Sequence, residues 1–269
     1  MAHRTDLAVE NENYQNYDTE TKQKGNISIT KMTEKKEKGQ KFLTISFPDI
    51  MNIVSTEELE EEIINSLQFL TGKAYENILV TGLGNTEITA DSIGPETASM
   101  LLATRHIKGE FAESIGLFGL KSVSIIATDV LGKTGIETAE IIRAVADKIK
   151  PDLIIAIDAL AAGSTTRLFR TIQLTNSGIS PGSGVKNSRK EISQKTMGIP
   201  VVAIGVPTVV DVGVIAEESG AKKSQNTADM ILTPKDSDIL CKKISEILSR
   251  SLNVFLQPNI EKEVIMSLV

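Results

Sequence analysis

From residue 77 to residue 211, short and nearly continuous apolar runs alternate with longer stretches whose apolar residues recur every three or four positions. The runs NILVTGL (77–83), SVSIIAT (122–128), PDLIIAID (151–158) and IPVVAIGVP (199–207) predict strands. Their lack of polar alternation fits parallel strands covered on both faces. ETASMLLATRHI (96–107) and IETAEIIRAVADKI (136–149) predict helices between them. A last helix is expected over about 237–256, where Leu240, Ile244, Leu248 and Leu252 stand at steps of four. Cys241 lies beside that stripe and reads as packing rather than as a nucleophile.

The chain ahead of residue 77 is patterned differently. Ile27 and Ile29 alternate with polar residues in NISIT (26–30), and Leu43, Ile45 and Phe47 do so in KFLTISF (41–47). Period two predicts strands, here the two arms of an antiparallel hairpin. Residues 10–41 are polar and carry the charge run KMTEKKEKGQK, which predicts a solvated loop or hairpin tip. STEELEEEIINSLQFLTG (55–72) predicts a helix. Ser55 and Glu58 have capping-box spacing, Leu59, Ile63, Leu67 and Leu70 share one face, and Gly72 ends it. The expected fold class is therefore α/β: a mainly parallel sheet flanked by helices, with an added N-terminal antiparallel hairpin.

Composition narrows the function. A chain of 269 residues with 41% hydrophobic and 24% charged content suits a globular protein of one large domain or two small ones. The net charge of −6 lends no support to direct nucleic-acid binding. A single cysteine rules out an internal disulfide and fits a reducing compartment. No apolar run is long enough to span a bilayer, and MAHRTDLAVE lacks the apolar core of a secretory signal. The expectation is a cytoplasmic protein with no membrane partner.

One feature of LIIAIDALAAG (153–163) points to chemistry. An apolar run that reads as a buried strand carries a carboxylate, Asp158, and burying an ionised acid is costly unless something pairs with it. In parallel sheets, ligands gather outside the carboxyl ends of the strands. By that rule Asp91, Asp129, Asp158 and Asp211 all follow strand ends and could face one crevice. Each also has a structural reading. Asp91 could favour a helix N-terminus, Asp158 could cap the segment after its strand, and Asp129 and Asp211 read as structural. Glu137, three residues after Thr134, has capping-box spacing. The chemical reading pairs Asp91 with Asp158. Two acids in one partly buried site cannot both ionise cheaply, so one retains a proton. Such a pair supplies a base to activate water and an acid to protonate a leaving group, both of which amide hydrolysis needs. The same two residues could instead hold a divalent metal.

Other motifs fail on mechanism. GISPG (178–182) matches the nucleophile-elbow string, but the residue after its serine is Pro181, which has no N–H to serve as an oxyanion donor. His3 and His106 are the only histidines, and both precede it. His106 falls on a predicted helix and reads as structural. GLGN (82–85) lacks the third glycine of a dinucleotide loop. SGISPGSGVKNSRKEIS (177–193) reads as a surface loop, or as a flap or peptide-binding rim over the crevice.

Several strings occurring in order carry a resemblance: RTDLAVE, GLGN followed by TADSIGP, TGIETAEII, KPDLIIAIDALAA, TIQLTNSGISPGSGVKNSRKEIS and GIPVVAIGVPTVVD. Together they resemble the germination proteases of spore-forming bacteria, a family related in fold to the hydrogenase-maturation proteases. The resemblance implies an endopeptidase that begins the degradation of small acid-soluble spore proteins, its substrates and partners, in the spore core. It implies a zymogen, with residues 1–6 as propeptide cut between Asp6 and Leu7 and residues 7–269 as a single α/β protease domain. It also implies a homotetramer and an aspartate pair that maps to Asp91 and Asp158. No cofactor is implied, although corresponding acids bind metal in the maturation proteases, so a divalent ion on Asp91 and Asp158 stays open. The alternatives are such a metal-dependent, maturation-type protease and a non-catalytic binding protein using the same crevice.

Overall fold

The computed structural model describes residues 5–10, 16–36, 39–107, 118–182, 189–221 and 230–269. Their strands form one nine-stranded sheet. The strands are β1 (Tyr17–Lys24), β2 (Ile27–Glu34), β3 (Lys41–Ser46), β4 (Asn77–Gly82), β5 (Ser122–Ala127), β6 (Leu153–Ala162), β7 (Thr171–Thr175), β8 (Val201–Asp211) and β9 (Ile231–Leu232). They lie in the order β1-β2-β3-β7-β8-β6-β4-β5, with β9 on β8. β8, β6, β4 and β5 are parallel. β7 and the β1-β2-β3 ribbon join them antiparallel. The fold is α/β with a parallel centre and an antiparallel N-terminal addition, as the sequence pattern predicts.

Alternate residues of the central strands feed two cores, which is why their sequences show no polar alternation. Ile78 and Val80 of β4 and Ile155 and Ile157 of β6 meet α1 (Glu57–Thr71) and the helix Ser237–Leu256 in one cluster. Leu79, Ile154 and Ala156 pack on the opposite side against Ile142 and Ala146 of the helix Thr138–Ile149. The short helix α2 (Ile93–Ser99) leans on β4 and β6. The chain passes from β4 to β5 on one side of it, then to β6 on the other. The strand order therefore reverses between β4 and β6, where an open α/β sheet forms its crevice. Among the described residues, no helix is long and apolar enough to cross a membrane.

Several local expectations are corrected. The polar stretch 10–41, in which only 26–30 is expected as a strand, contains all of β1 and β2. The six inner residues of β1 are exposed whichever face they point to, so no apolar alternation marks the strand. TIQLT, unmarked in the sequence reading, is β7 and buried throughout. Thr56 rather than Ser55 stands at the start of α1, and no capping box forms. Thr56 Oγ1 instead donates to Glu60 Oε1 at 2.8 Å. Gly72 does end that helix, with φ 64°. The helix expected over 96–107 ends at Ser99. Beyond it Thr104 ties the chain to β5, its N–H donating to Val123 O at 3.0 Å and its Oγ1 accepting from Val123 N at 3.1 Å. His106 thus lies in an exposed turn, not on a helix. Glu137 is itself the N-cap position of its helix, without a side-chain cap bond, while Thr134 Oγ1 accepts from Ile136 N.

Candidate active site

Asp158 does not end its strand. β6 continues to Ala162, and the strand that ends is its neighbour β4, which stops at Gly82 opposite Ile157. Leu83 N donates a last bond to Ile157 O at 2.8 Å, and the chain then turns away. Asp158 is the next residue on β6 and lines the cleft together with Leu83 and Gly84, where the chain leaves β4. The residue is 5% exposed.

The departing chain brings Asp91 to the same space. After Gly84, Asn85 N donates both to Asp91 O at 3.1 Å and to Asp91 Oδ2 at 2.9 Å, closing a loop on the acid. The short turn Thr89–Asp91 is held from two other directions. Thr208 Oγ1 of β8 donates to Ala90 O at 2.6 Å, and Cys241 Sγ of the C-terminal helix to Thr89 O at 3.1 Å. Burial lifts the Cys241 thiol to about 11, as befits a packing residue. Asp91 and Asp158 line one cleft of about 300 Å³, together with Ala161, Thr208 and Arg189.

Both acids hold a proton more tightly than an ordinary carboxyl. Burial pushes Asp91 up to about 6, against the opposing bond from Asn85 N–H and with help from the Asp129 charge. Asp158 is raised well above the ordinary carboxyl range, first by burial and then by the charge of Asp91, against the bond its Oδ1 accepts from Ala159 N–H and with a smaller contribution from Asp6. Two carboxyls raised in this way within one cleft do not both ionise cheaply, so they compete for a proton.

The other candidate acids serve the scaffold. Asp129 pairs with Lys133 at 2.9 Å, and that bond lowers its pKa. Asp211 Oδ1 accepts from Gly213 N at 2.6 Å at the start of the helix Val212–Glu218. The loop 177–193 is pinned at its base by the antiparallel bridge Ile179–Ile192, and its Pro181, Gly182 and Arg189 reach the cleft. Residues 183–188 of that expected flap lie outside the described residues.

The segment Thr5–Glu10 lies along the distal end of β6. Asp6 N donates to Ala161 O at 3.0 Å, and its Oδ2 accepts from Ala161 N at 2.9 Å. Leu7 is 1% exposed, packed on Leu160 and Ala162. Glu10 Oε2 accepts from Gly163 N at 2.6 Å, and its Oε1 pairs with Arg167 Nε at 3.2 Å. Gln173 of β7 holds this segment from the other side. Its Nε2 donates to Asp6 O at 3.0 Å, and its Oε1 accepts from Ala8 N at 2.6 Å. Asp6 thus lines the cleft that holds Asp91 and Asp158. Gln173 and Thr208 carry no local sequence signal and are absent from the site residues that the sequence reading groups.

Among the described residues, no three His, Cys, Asp or Glu side chains converge as a metal site would require. Asp91 and Asp158 alone would give an ion two protein carboxylates.

An α/β protein with two acids of raised pKa lining one cleft at the switch point of its sheet has groups suited to acid–base chemistry on a bond brought into that cleft. The chain belongs to the germination protease family, a family of peptidases whose model matches residues 3–220. It is 38% identical to the germination protease of Clostridium acetobutylicum over 96% of each chain, and 38% identical to that of Clostridium tetani over 99% of each. The germination protease of Priestia megaterium is 43% identical over 77% of this chain and 61% of its own. A crystal structure of the [NiFe] hydrogenase maturation protease HycI from Thermococcus kodakarensis shares 15% identity, with a TM-score of 0.39, covering 70% of this chain and 98% of that one. That likeness is too distant to bear on the site.

Proposed function

We propose that this chain is an endopeptidase that initiates the degradation of small acid-soluble spore proteins at germination. In this reading it is a cytoplasmic enzyme of the spore core, made as a zymogen that removes residues 1–6 by cutting between Asp6 and Leu7, and it works as a homotetramer. The relatives' shared name supports the reading at the level of family. The observation that carries the chemistry is that Asp91 and Asp158, both with raised pKa, line one cleft.

In this reading Asp158, the more deeply buried acid, keeps the proton and Asp91 is the ionised one. Ionised Asp91 takes a proton from a water molecule, and the resulting hydroxide attacks the carbonyl carbon of the scissile peptide. Protonated Asp158 gives its proton to the leaving nitrogen as the C–N bond breaks. The products are a carboxylic acid and an amine, and the proton now on Asp91 returns the pair to its starting charge by passing to Asp158. Low solvent access strengthens both steps, because neither acid is screened as it would be in water.

The test uses purified protein with Asp91→Asn and Asp158→Asn, each incubated with small acid-soluble spore protein and followed by mass spectrometry. Each variant is expected to fold and to lose cleavage by about 10²–10⁴-fold, the worth of a positioned acid or base. Cleavage near the parental rate by either variant removes that residue from the mechanism. Intact substrate with the parent protein, after its leader has gone, supports a binding protein instead.

A further inference from the structure

We infer that Gln173 is the residue that grips and polarises the bond to be cut, with its Nε2–H serving as the oxyanion donor for the Asp6–Leu7 peptide. The inference rests on the proposed self-processing at that bond and names the residue it would require beyond the acid pair. The carbonyl oxygen of Asp6 is the atom on which negative charge develops when a hydroxide adds to the peptide. That oxygen receives the 3.0 Å bond from Gln173 Nε2. A donor already placed there stabilises the tetrahedral state without reorganisation.

The same side chain fixes the register of the peptide. Its Oε1 accepts from Ala8 N at 2.6 Å, so one amide spans the bond, holding the oxygen before it and the N–H one residue beyond it. Only a side chain with both a donor and an acceptor at its tip can do this. The two partners also dictate which way the amide faces, since a carbonyl needs the NH₂ and an N–H needs the oxygen. Gln173 is 6% exposed and sits mid-strand on β7, paired with Thr44 of β3 and Gly205 of β8, so its backbone is fixed. Asp6 lies between two cavities. One, of about 300 Å³, contains Asp91 and Asp158; the other, of about 260 Å³, is lined by Gln173. Ala161 holds Asp6 at both its N–H and its carboxylate. Leu7 N, the leaving nitrogen, donates to Thr5 Oγ1 at 3.0 Å, within the same segment.

The test compares the full chain with Gln173→Met, of similar length but with neither donor nor acceptor, and with Gln173→Glu, which keeps the acceptor and loses the donor. Leader release is timed by intact-mass spectrometry, and kcat and KM are measured on a peptide copying residues 3–10. Gln173→Met is expected to slow release and kcat by about 10²–10³-fold, the usual loss for one oxyanion donor, with KM shifted by far less. Gln173→Glu should be equally slow at neutral pH. Its rate relative to the parent should rise as the pH falls, because a protonated carboxyl donates again. A merely structural glutamine would not give that recovery. Release by Gln173→Met at close to the parental rate, or a Gln173→Glu ratio flat with pH, overturns the inference. If Gln173→Met does not fold, as judged by circular dichroism, the Gln173→Glu ratio alone decides. A parent that degrades spore protein yet leaves Asp6–Leu7 intact overturns this inference only. A parent inert on both overturns the reading beneath it.

Discussion

A Cβ atom on Gly84 would stand 2.1 Å from the carbonyl oxygen of Asp91 and 3.0 Å from its Oδ1. The backbone at Gly84 also has φ +114°, outside the range that side-chain-bearing residues favour. Both facts place a glycine where the loop leaves β4, and both concern the same acid. Gly84→Ala should displace Asp91 from Asn85 N–H rather than unfold the sheet. The expected outcome is loss of peptide cleavage by at least about tenfold, with a stability loss in the range of about 1–3 kcal/mol typical of forced backbone strain. Cleavage assays and thermal melts on the same preparation check it.

The pH profile follows from the two acids. Asp91 must be ionised to act as a base, so kcat/KM on a peptide substrate should rise with pH through about 6. Asp158 must hold its proton to act as an acid, so activity should fall again at higher pH as that proton is lost. Asp91→Asn should abolish the rising limb in whatever activity remains. A parental profile flat between pH 5 and pH 8 would contradict the assignment.

How much of this is legible in the sequence depends on the reach of each signal. The central strands are legible because both their faces are buried, so Ile154 and Ile155 are equally apolar although they serve opposite cores. β1 is not, because its two faces are equally wet. β7 is not, because Thr171, Gln173 and Thr175 are buried polar residues that a hydrophobic pattern cannot distinguish from loop. Asp158 is legible as an acid in an apolar run, and Asp91 as an acid in the loop after the neighbouring strand. What places them is longer-ranged. Thr208 holds Ala90 across 118 residues of chain, and Gln173 holds Asp6 across 167. No local rule joins such pairs.

Metal use is open to a direct measurement. Two carboxylates without a third converging His, Cys, Asp or Glu among the described residues make a poor divalent-ion site. Dialysis against a strong chelator should leave cleavage of spore protein unchanged, with less than one equivalent of any transition metal in the dialysed protein. Activity that vanishes on dialysis and returns with an added divalent ion would favour the metal-dependent reading of the same two residues.

Stability gives a test that needs no substrate. Asp91 has a folded-state pKa raised from 3.8 to about 6, and Asp158 is raised as well. The folded protein therefore binds protons that the unfolded chain releases, and stability falls with pH wherever it does so. The contribution is fully present below the unfolded value near 4 and is lost as the pH rises through the folded values, about 6 for Asp91 and well above 3.8 for Asp158. A neutral amide has no such penalty. Asp158→Asn, at the more deeply buried position, should melt several degrees above the parent at pH 7, and the advantage should shrink towards zero by about pH 4. Thermal melts across that range decide the matter. If the substitution is destabilising at pH 7, the Asp158 carboxylate is held there by a favourable partner such as a cation, and the two acids do not share one proton.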